Sequence, residues 1–240
     1  MIKNKSIDKS KCYNTFVKPI LIQLSSKARP QKIEGFYKSW RQTTSGLSDV
    51  VTCLDDDDIT LNEYIRHKDI MFDIGSGKYM CDSINRAFKK YPNYKYYFIV
   101  SDDHRIRTKG WEEKFIKKIE ENGGKGVCYG NDLMYGEKLS TAAFVSGNIF
   151  RALGFIAIPG LYHMWVDKSW MEIGKQLKKL YYFPEVIIEH MHYKVGKSMA
   201  DDSYLRVNNK KIHDHDKNVF DVWKKEKMAE DLKKIKNYQD

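Results

Sequence analysis

Apolar and polar positions along the chain follow two periods. Short continuous apolar runs predict strands, and apolar residues three or four apart predict helices between them. Phe16 to Leu24 is the first run, with Pro19 near its start, and the polar loop Ser25 to Pro30 follows. Ile33, Phe36, Tyr37 and Trp40 predict a helix from Gln31, with Gly46 in the turn after it. Val50 to Leu54 and Ile70 to Ile74 read as the second and third strands. Ile84, Ala87, Phe88 and Tyr91 form the inner face of a helix that Pro92 ends. Tyr96 to Val100 has no polar interruption, which suits a strand covered on both faces in a parallel sheet. Trp111, Phe115, Ile116 and Ile119 repeat the helical period up to Gly123-Gly124, and Val127 to Tyr129 is a further strand. Strands and helices alternating over the first ~130 residues predict βαβ units on a mostly parallel sheet, an α/β fold.

The pattern changes near residue 135. Thr141 to Val145 is small and β-prone, and a short helix runs from Ser146-Gly147 to near Gly154. Phe155 to Tyr162 contains Pro159 and Gly160 and predicts a loop. Trp170, Ile173 and Leu177 mark another helix, and Tyr181 to Phe183 and Glu185 to Met191 are strand-like. A last helix from about Asp216 carries Val219, Trp223, Leu232 and Ile235. Residues 1 to about 15 are polar and are expected to be poorly ordered. No linker separates the halves, so residues 1–240 are expected to form a single domain.

The chain has 240 residues, 42% of them hydrophobic, enough for one sizeable core. No apolar run approaches the roughly 20 residues of a membrane span, and the start lacks the apolar centre of a secretory signal. A cytoplasmic protein is expected. Cys12, Cys53, Cys81 and Cys128 include no Cys-x-x-Cys pair, which favours buried free thiols in a reducing compartment. The formal charge of +10 favours polyanionic partners: nucleic acid, an anionic membrane or a nucleotide-bearing substrate. Charge alone does not choose among them. Oligomeric state is not legible.

Candidate chemistry concentrates after the strand Tyr96 to Val100. Asp102, Asp103 and His104 follow its carboxyl end, where open α/β sheets bind ligands. Carboxylate and imidazole together suit a divalent cation such as Mn²⁺. The alternative is that Asp102 and Asp103 are solvated turn residues and His104 caps the next element. Asp55 to Asp58 follow the second strand, either as a solvated loop or with the first one or two accepting from a base or ribose. Gly75-Ser76-Gly77-Lys78 lacks the earlier glycine and the following Ser or Thr of a phosphate loop. His190 and His192, two apart in a strand, would point to one face. His213 and His215, in His-Asp-His-Asp, resemble a metal cluster, but they precede the last predicted helix in a polar stretch, which favours solvated capping residues.

Four motifs in order, Ser101-Asp102-Asp103-His104-Arg105, Gly130-Asn131-Asp132, Val166-Asp167-Lys168-Ser169-Trp170 and Ile188-Glu189-His190-Met191-His192, resemble the GT-A glycosyltransferases. The likeness is to the large inverting family 2, in particular to small enzymes common in bacteriophage genomes, and covers about residues 16 to 207. It implies a GT-A, Rossmann-like sheet flanked by helices, with a C-terminal helical extension. It divides the chain into a nucleotide-sugar half (about 16–132), an acceptor half (about 133–207) and a C-terminal helix (208–240). Ser25, Arg29, Asp55, Asp56, Asn85, Asp103, Lys194 and Lys197 would then surround a nucleoside-diphosphate sugar. Asp102, His104, His190 and His192 are the implied ligands of Mn²⁺ or Mg²⁺, in an Asp-x-His variant of the family's Asp-x-Asp. Asp167 matches the family's general base; its alternative role is a helix cap.

The implied reaction moves a sugar from the donor to an acceptor hydroxyl with inversion. The basic chain and the phage resemblance single out double-stranded DNA with hydroxymethylated pyrimidines as the acceptor, in the cytoplasm of an infected bacterium. A glycan, lipid or protein acceptor is the alternative. A nucleotidyltransferase is disfavoured because Ser25 to Pro30 contains no glycine. A basic nucleic-acid-binding module would leave Asp102, Asp103, Asp167 and the histidine pair without a role.

Overall fold

The structure is a computed structural model and describes residues 18–77 and 79–239. The expectations for residues 1 to about 15, for Phe16 and Val17, and for Cys12 and Lys78 fall outside them. In chain order, β1 (Ile20–Ser25) leads to α1 (Pro30–Thr43), where Pro30 takes a first-turn position that needs no amide donor. Then come β2 (Ser48–Asp55), the short α2 (Leu61–Tyr64), β3 (Met71–Gly75), α3 (Met80–Lys90) and β4 (Tyr96–Ser101). The next elements are β5 (His104–Ile106), α4 (Trp111–Glu120), β6 (Val127–Asn131), β7 (Ala143–Ser146) and α5 (Gly147–Leu153). Finally α6 (Val166–Gln176), β8 (Leu180–His190), α7 (Asp202–Val207), α8 (Lys210–Glu226) and α9 (Met228–Asn237) complete the chain.

The eight strands form one sheet in the order β3-β2-β1-β4-β7-β6-β8-β5. The first four are mutually parallel, β7 runs antiparallel to β4 and β6, and β8 pairs parallel with β6 and antiparallel with β5. The chain leaves β1 toward β2 on one side and later returns to β4 on the other. That reversal opens a crevice at the carboxyl ends of β1 and β4.

Both faces of the sheet are covered, and the strand alternation divides the core. Ile20, Ile22, Tyr96 and Phe98 pack with Phe36 and Trp40 of α1 and Trp111 and Phe115 of α4. Leu21, Tyr97 and Ile99 face the other way, against Phe88, Phe150, Trp170, Phe220, Trp223 and Ile235. The aromatic run of β4 is therefore buried on both sides, as its lack of polar positions implied. Cys53, Cys81 and Cys128 are buried free thiols.

Several predicted boundaries move. The two strand-like stretches around Pro184 are one strand, β8, whose pairing with β6 shifts register at Gly130/Asn131. The strand ends at His190, so His192 is not part of it; its side chain instead caps a 3-10 turn by accepting from the Lys194 amide at 3.2 Å. The last helix starts at Lys210, not near Asp216, and breaks at Lys227 before α9. Asn209 caps α8, so His213 and His215 lie within it and are not its caps. The stretches β5, α2 and α7 were not anticipated.

At Gly130 the backbone of β8 approaches closely: a Cβ there would collide with the Val186 carbonyl oxygen and touch Ile188 at 3.1 Å. Gly130→Ala is expected to destabilise the fold by about 1–3 kcal/mol through overpacking, read as a lower urea midpoint at unchanged slope.

Candidate active site

A cavity of about 450 Å³ opens at the carboxyl ends of β1, β2 and β4 and is closed from the far side by the loop before α6 and by α7. Two buried acids order its first wall, Asp102 by lining it and Asp58 from behind. Asp102 is 3% exposed, accepts from the Ser26 hydroxyl at 2.7 Å and pairs with Arg29 Nη1 at 3.2 Å. Burial pushes its carboxyl up, against the opposing Arg29 charge. Asp58, also buried, accepts from the Ala28 amide at 2.7 Å and from the amide and hydroxyl of Thr60. It holds Ala28 in the left-handed region, at φ 55°. Tyr64 joins the two loops by meeting the Ser26 hydroxyl at 3.0 Å and accepting from the Arg29 amide at 2.7 Å.

Asp103, His104 and His190 bring one ligand atom each within 4.8 Å of one another. The pairing of β5 with β8 sets this, since His104 and His190 are register partners with rings 4.4 Å apart. Asp103 Oδ2 accepts from the Tyr204 hydroxyl at 2.6 Å, and His190 Nε2 lies 3.4 Å from it. Burial alone would raise the Asp103 carboxyl; the contacts with His190, His104 and Tyr204 outweigh it and keep it ionised. Burial holds His104 down at about 3, so its ring is neutral. His104 Nδ1 accepts from the Ser101 amide at 3.0 Å, and Nε2 faces the Thr141 hydroxyl at 3.4 Å, which donates to Asp132 at 2.9 Å. Asp103 Oδ1 and His190 Nδ1 are buried without a hydrogen-bond partner. One oxygen and one nitrogen left unshared, next to a neutral imidazole, fit a divalent cation of the Mn²⁺ kind.

Asp167 lies in the first turn of α6 and lines the same cavity. Burial raises its carboxyl above the ordinary 3.8. The residue before the helix, Trp165, sits at φ 67°, a strained conformation for an aromatic residue and one that clusters at functional sites. The loop leading to it is tied down by Asp216 of α8. This fully buried carboxylate accepts from the amides of Tyr162, His163 and Met164 at 2.7–2.9 Å. Asp216→Ala strands three amide donors and is expected to cost about 3 kcal/mol or more of stability. Differential scanning calorimetry checks the loss.

The expected donor residues are distributed unevenly. Ser25, Arg29, Asp55, Asp103 and Lys194 line the cavity, and so does His192. Lys27 pairs with Asp55 at 3.0 Å, beside Ser83 and the ring of Tyr79. Asp56 is exposed and Lys197 pairs with Glu189 at 2.7 Å, both outside the lining. Asn85 spends its amide on the backbone of Ile156 and Ala157, joining α3 to the loop after α5. Burial pushes His192 down to about 4.

Helix α7 is the part of the site that pattern reading missed. Asp201 caps it and binds Arg29 through Nη2 at 2.6 Å and Nε at 3.1 Å, and Lys32 at 2.7 Å. Burial alone would raise Asp201; these cations bring it down to about 2. The Tyr204 ring carries Arg29 and Lys32 at 4.2 and 4.1 Å while its hydroxyl holds Asp103.

No protein-family model and no curated protein matches the sequence. Solved structures do match. Glucosyl-3-phosphoglycerate synthase from Mycobacterium tuberculosis, bound to Mn²⁺, UDP-glucose and phosphoglyceric acid, aligns over 84% of this chain and 79% of its own, with TM-score 0.59 and 10% identity. TarS 1–349 from S. aureus, in complex with UDP, aligns over 70% of this chain with TM-score 0.55 and 10% identity; the match spans 59% of the TarS chain. The mannosyltransferase PcManGT from Pyrobaculum calidifontis, with GDP-Man and Mn²⁺, aligns over 91% of this chain and 79% of its own, with TM-score 0.52 and 9% identity. The fold is GT-A-like: a mixed, mostly parallel sheet between helices, with helices at the carboxyl end. Among the described residues, no helix is long and apolar enough to cross a membrane.

Proposed function

We propose that the chain is a metal-dependent, inverting glycosyltransferase that moves a sugar from a nucleoside-diphosphate donor to an acceptor hydroxyl. The acceptor in this reading is a 5-hydroxymethylpyrimidine in double-stranded DNA. The observation that carries the reading is the convergence of Asp167, Asp103 and His190 on one cavity at the sheet's switch point, with the buried His104 packed against His190. The nucleotide sugars and Mn²⁺ in the structural neighbours support the donor and the cation.

Asp55 accepts from the base or ribose, with Tyr79 and Ser83 beside it. Arg29 and Lys194 offer charge-assisted hydrogen bonds to the diphosphate. Asp103 and His190 would hold the cation, with His104 beside them and His192 at the cavity wall. Asp102, turned to Arg29 and Ser26, orders the donor loop from the same cluster. When bound, the cation supplies charge neutralisation at the leaving diphosphate. Asp167 accepts the proton of the attacking hydroxyl, and its burial strengthens it as a base. One base and no covalent nucleophile lead to inversion at the anomeric carbon.

The test is a donor screen with Mn²⁺ that measures nucleoside-diphosphate release with and without acceptors, followed by mass spectrometry of nucleosides from treated hydroxymethylated DNA. Chelator is expected to abolish turnover. Full turnover in chelator removes the cation from the account. A retained anomeric configuration removes the single-base mechanism. Sugar found on a glycan, lipid or protein but on neither 5-hydroxymethylcytosine nor 5-hydroxymethyluracil removes the DNA acceptor.

A further inference from the structure

A second, smaller hollow of about 220 Å³ lies alongside the cavity, between the turn at Gly136–Lys138, α6 and α8. Four lysines line it, Lys138, Lys168, Lys175 and Lys224, against one acid, Glu172. Glu172 is taken by Lys224 at 3.1 Å. Lys138, Lys168 and Lys175 make no ion pair among the described residues. Elsewhere basic side chains are commonly neutralised: Lys27 by Asp55 and Asp57, Lys197 by Glu189, Lys217 by Asp221, Lys234 by Glu230. An uncompensated row of ammonium groups in a hollow raises the local concentration of anions.

The hollow adjoins the cavity, and Leu139 and Lys168 line both. Lys168 follows the candidate base Asp167 directly and its ammonium sits 3.7 Å from the centre of the Trp165 ring. Lys168 and Lys175 are two helical turns apart on α6, about 10 Å along its axis, or the axial rise of about three nucleotides of one duplex strand. A row of cations ending on an aromatic ring at a cavity mouth is the combination that holds a nucleic-acid backbone and receives a displaced base. An anionic membrane surface would use the charge but not the ring at the cavity wall.

We infer that the hollow lined by Lys138, Lys168, Lys175 and Lys224 seats the phosphodiester backbone of duplex DNA, so that the strand beside it presents its base to Asp167. This rests on the acceptor assignment above, and its test is independent of sugar transfer. A labelled 20-base-pair unmodified duplex is titrated with the full chain, without donor, between 50 and 200 mM salt and followed by fluorescence anisotropy. Binding that weakens steeply with salt is expected. In the double variant Lys138→Gln/Lys175→Gln, the slope of log affinity against log salt is expected to fall by about 2, and affinity by about tenfold per lysine at 100 mM salt. Binding of UDP or GDP with Mn²⁺, measured by calorimetry on the same variant, is expected to stay at the wild-type level. Unchanged duplex affinity and slope in the variant overturn the inference. So does wild-type protein that binds phosphatidylglycerol vesicles but not the duplex. A wild-type chain that binds duplex through these lysines but no nucleotide sugar keeps the DNA seat and removes the glycosyltransferase reading. One that binds nucleotide sugar but no duplex removes the seat alone.

Discussion

Asp167→Asn is expected to lower kcat by ~10²-fold or more while donor binding survives, the signature of a lost general base. The substitution keeps the shape and the hydrogen bond that Asp167 Oδ1 accepts from the Lys168 amide at 2.8 Å, so the first turn of α6 stays formed. The same carboxylate sets the acid limb of the pH profile. Its pKa is raised by burial, and a base works only when ionised, so kcat falls as pH drops through a value above the ordinary 3.8. That limb is expected to vanish in the asparagine variant. Near-wild-type kcat would reduce Asp167 to a helix-terminal residue. Stopped-time assays of nucleoside-diphosphate release across pH 4–8, an ordinary working range for carboxylate titrations, separate the two outcomes.

Asp103→Asn is expected to remove turnover and weaken Mn²⁺ binding by ~10²-fold or more, at least the loss seen when a partner of a metal ligand is removed. The amide retains an oxygen that can accept from Tyr204, and it removes the negative charge that the two imidazoles face. Circular dichroism is expected to be unchanged. Cation binding followed by electron paramagnetic resonance reads the loss without any turnover. The neighbouring Asp102→Asn divides the acidic pair by role. Its contacts are Arg29 and Ser26, so its loss is expected in donor affinity, with Mn²⁺ binding of the free protein retained. Wild-type cation binding in Asp103→Asn together with its loss in Asp102→Asn would exchange the two assignments.

The first half of the fold was legible because its elements are local. Each of β1 to β4 is mostly apolar, and α1, α3 and α4 each present a periodic apolar face. Strand β5 was not, because three residues, His104–Ile106, carry no pattern and its pairing depends on a stretch far along the chain. Helix α7 is six residues in a polar stretch, with a single buried side chain, Tyr204. The start of α8 was misplaced because His-Asp-His-Asp looks solvated. A signal was nevertheless present: Ile212, Asp216, Phe220 and Trp223 share one helical face, and all four are buried. An acid on an apolar face needs buried donors, which the loop amides of residues 162–164 supply. The candidate cluster was visible as residue types, and the division between Asp102 and Asp103 was not. Which of two adjacent acids faces Arg29 and which faces the imidazoles depends on how the chain turns between β4 and β5.

The pairing of β5 with β8 also bears on how the chain comes off the ribosome. Strand β5 emerges early, yet β8 is its sheet partner and is made much later. Until then the backbone that carries His104 has no neighbour in the sheet, while β1 to β4 can already pair with one another. A nascent or prematurely ended chain would thus carry the loops after β1, β2 and β4 without His190, Asp201, Tyr204 or the Asp216 tether. Such fragments lack half of the candidate site whatever their secondary structure, and the site is complete only once the residues through Asp216 have been made.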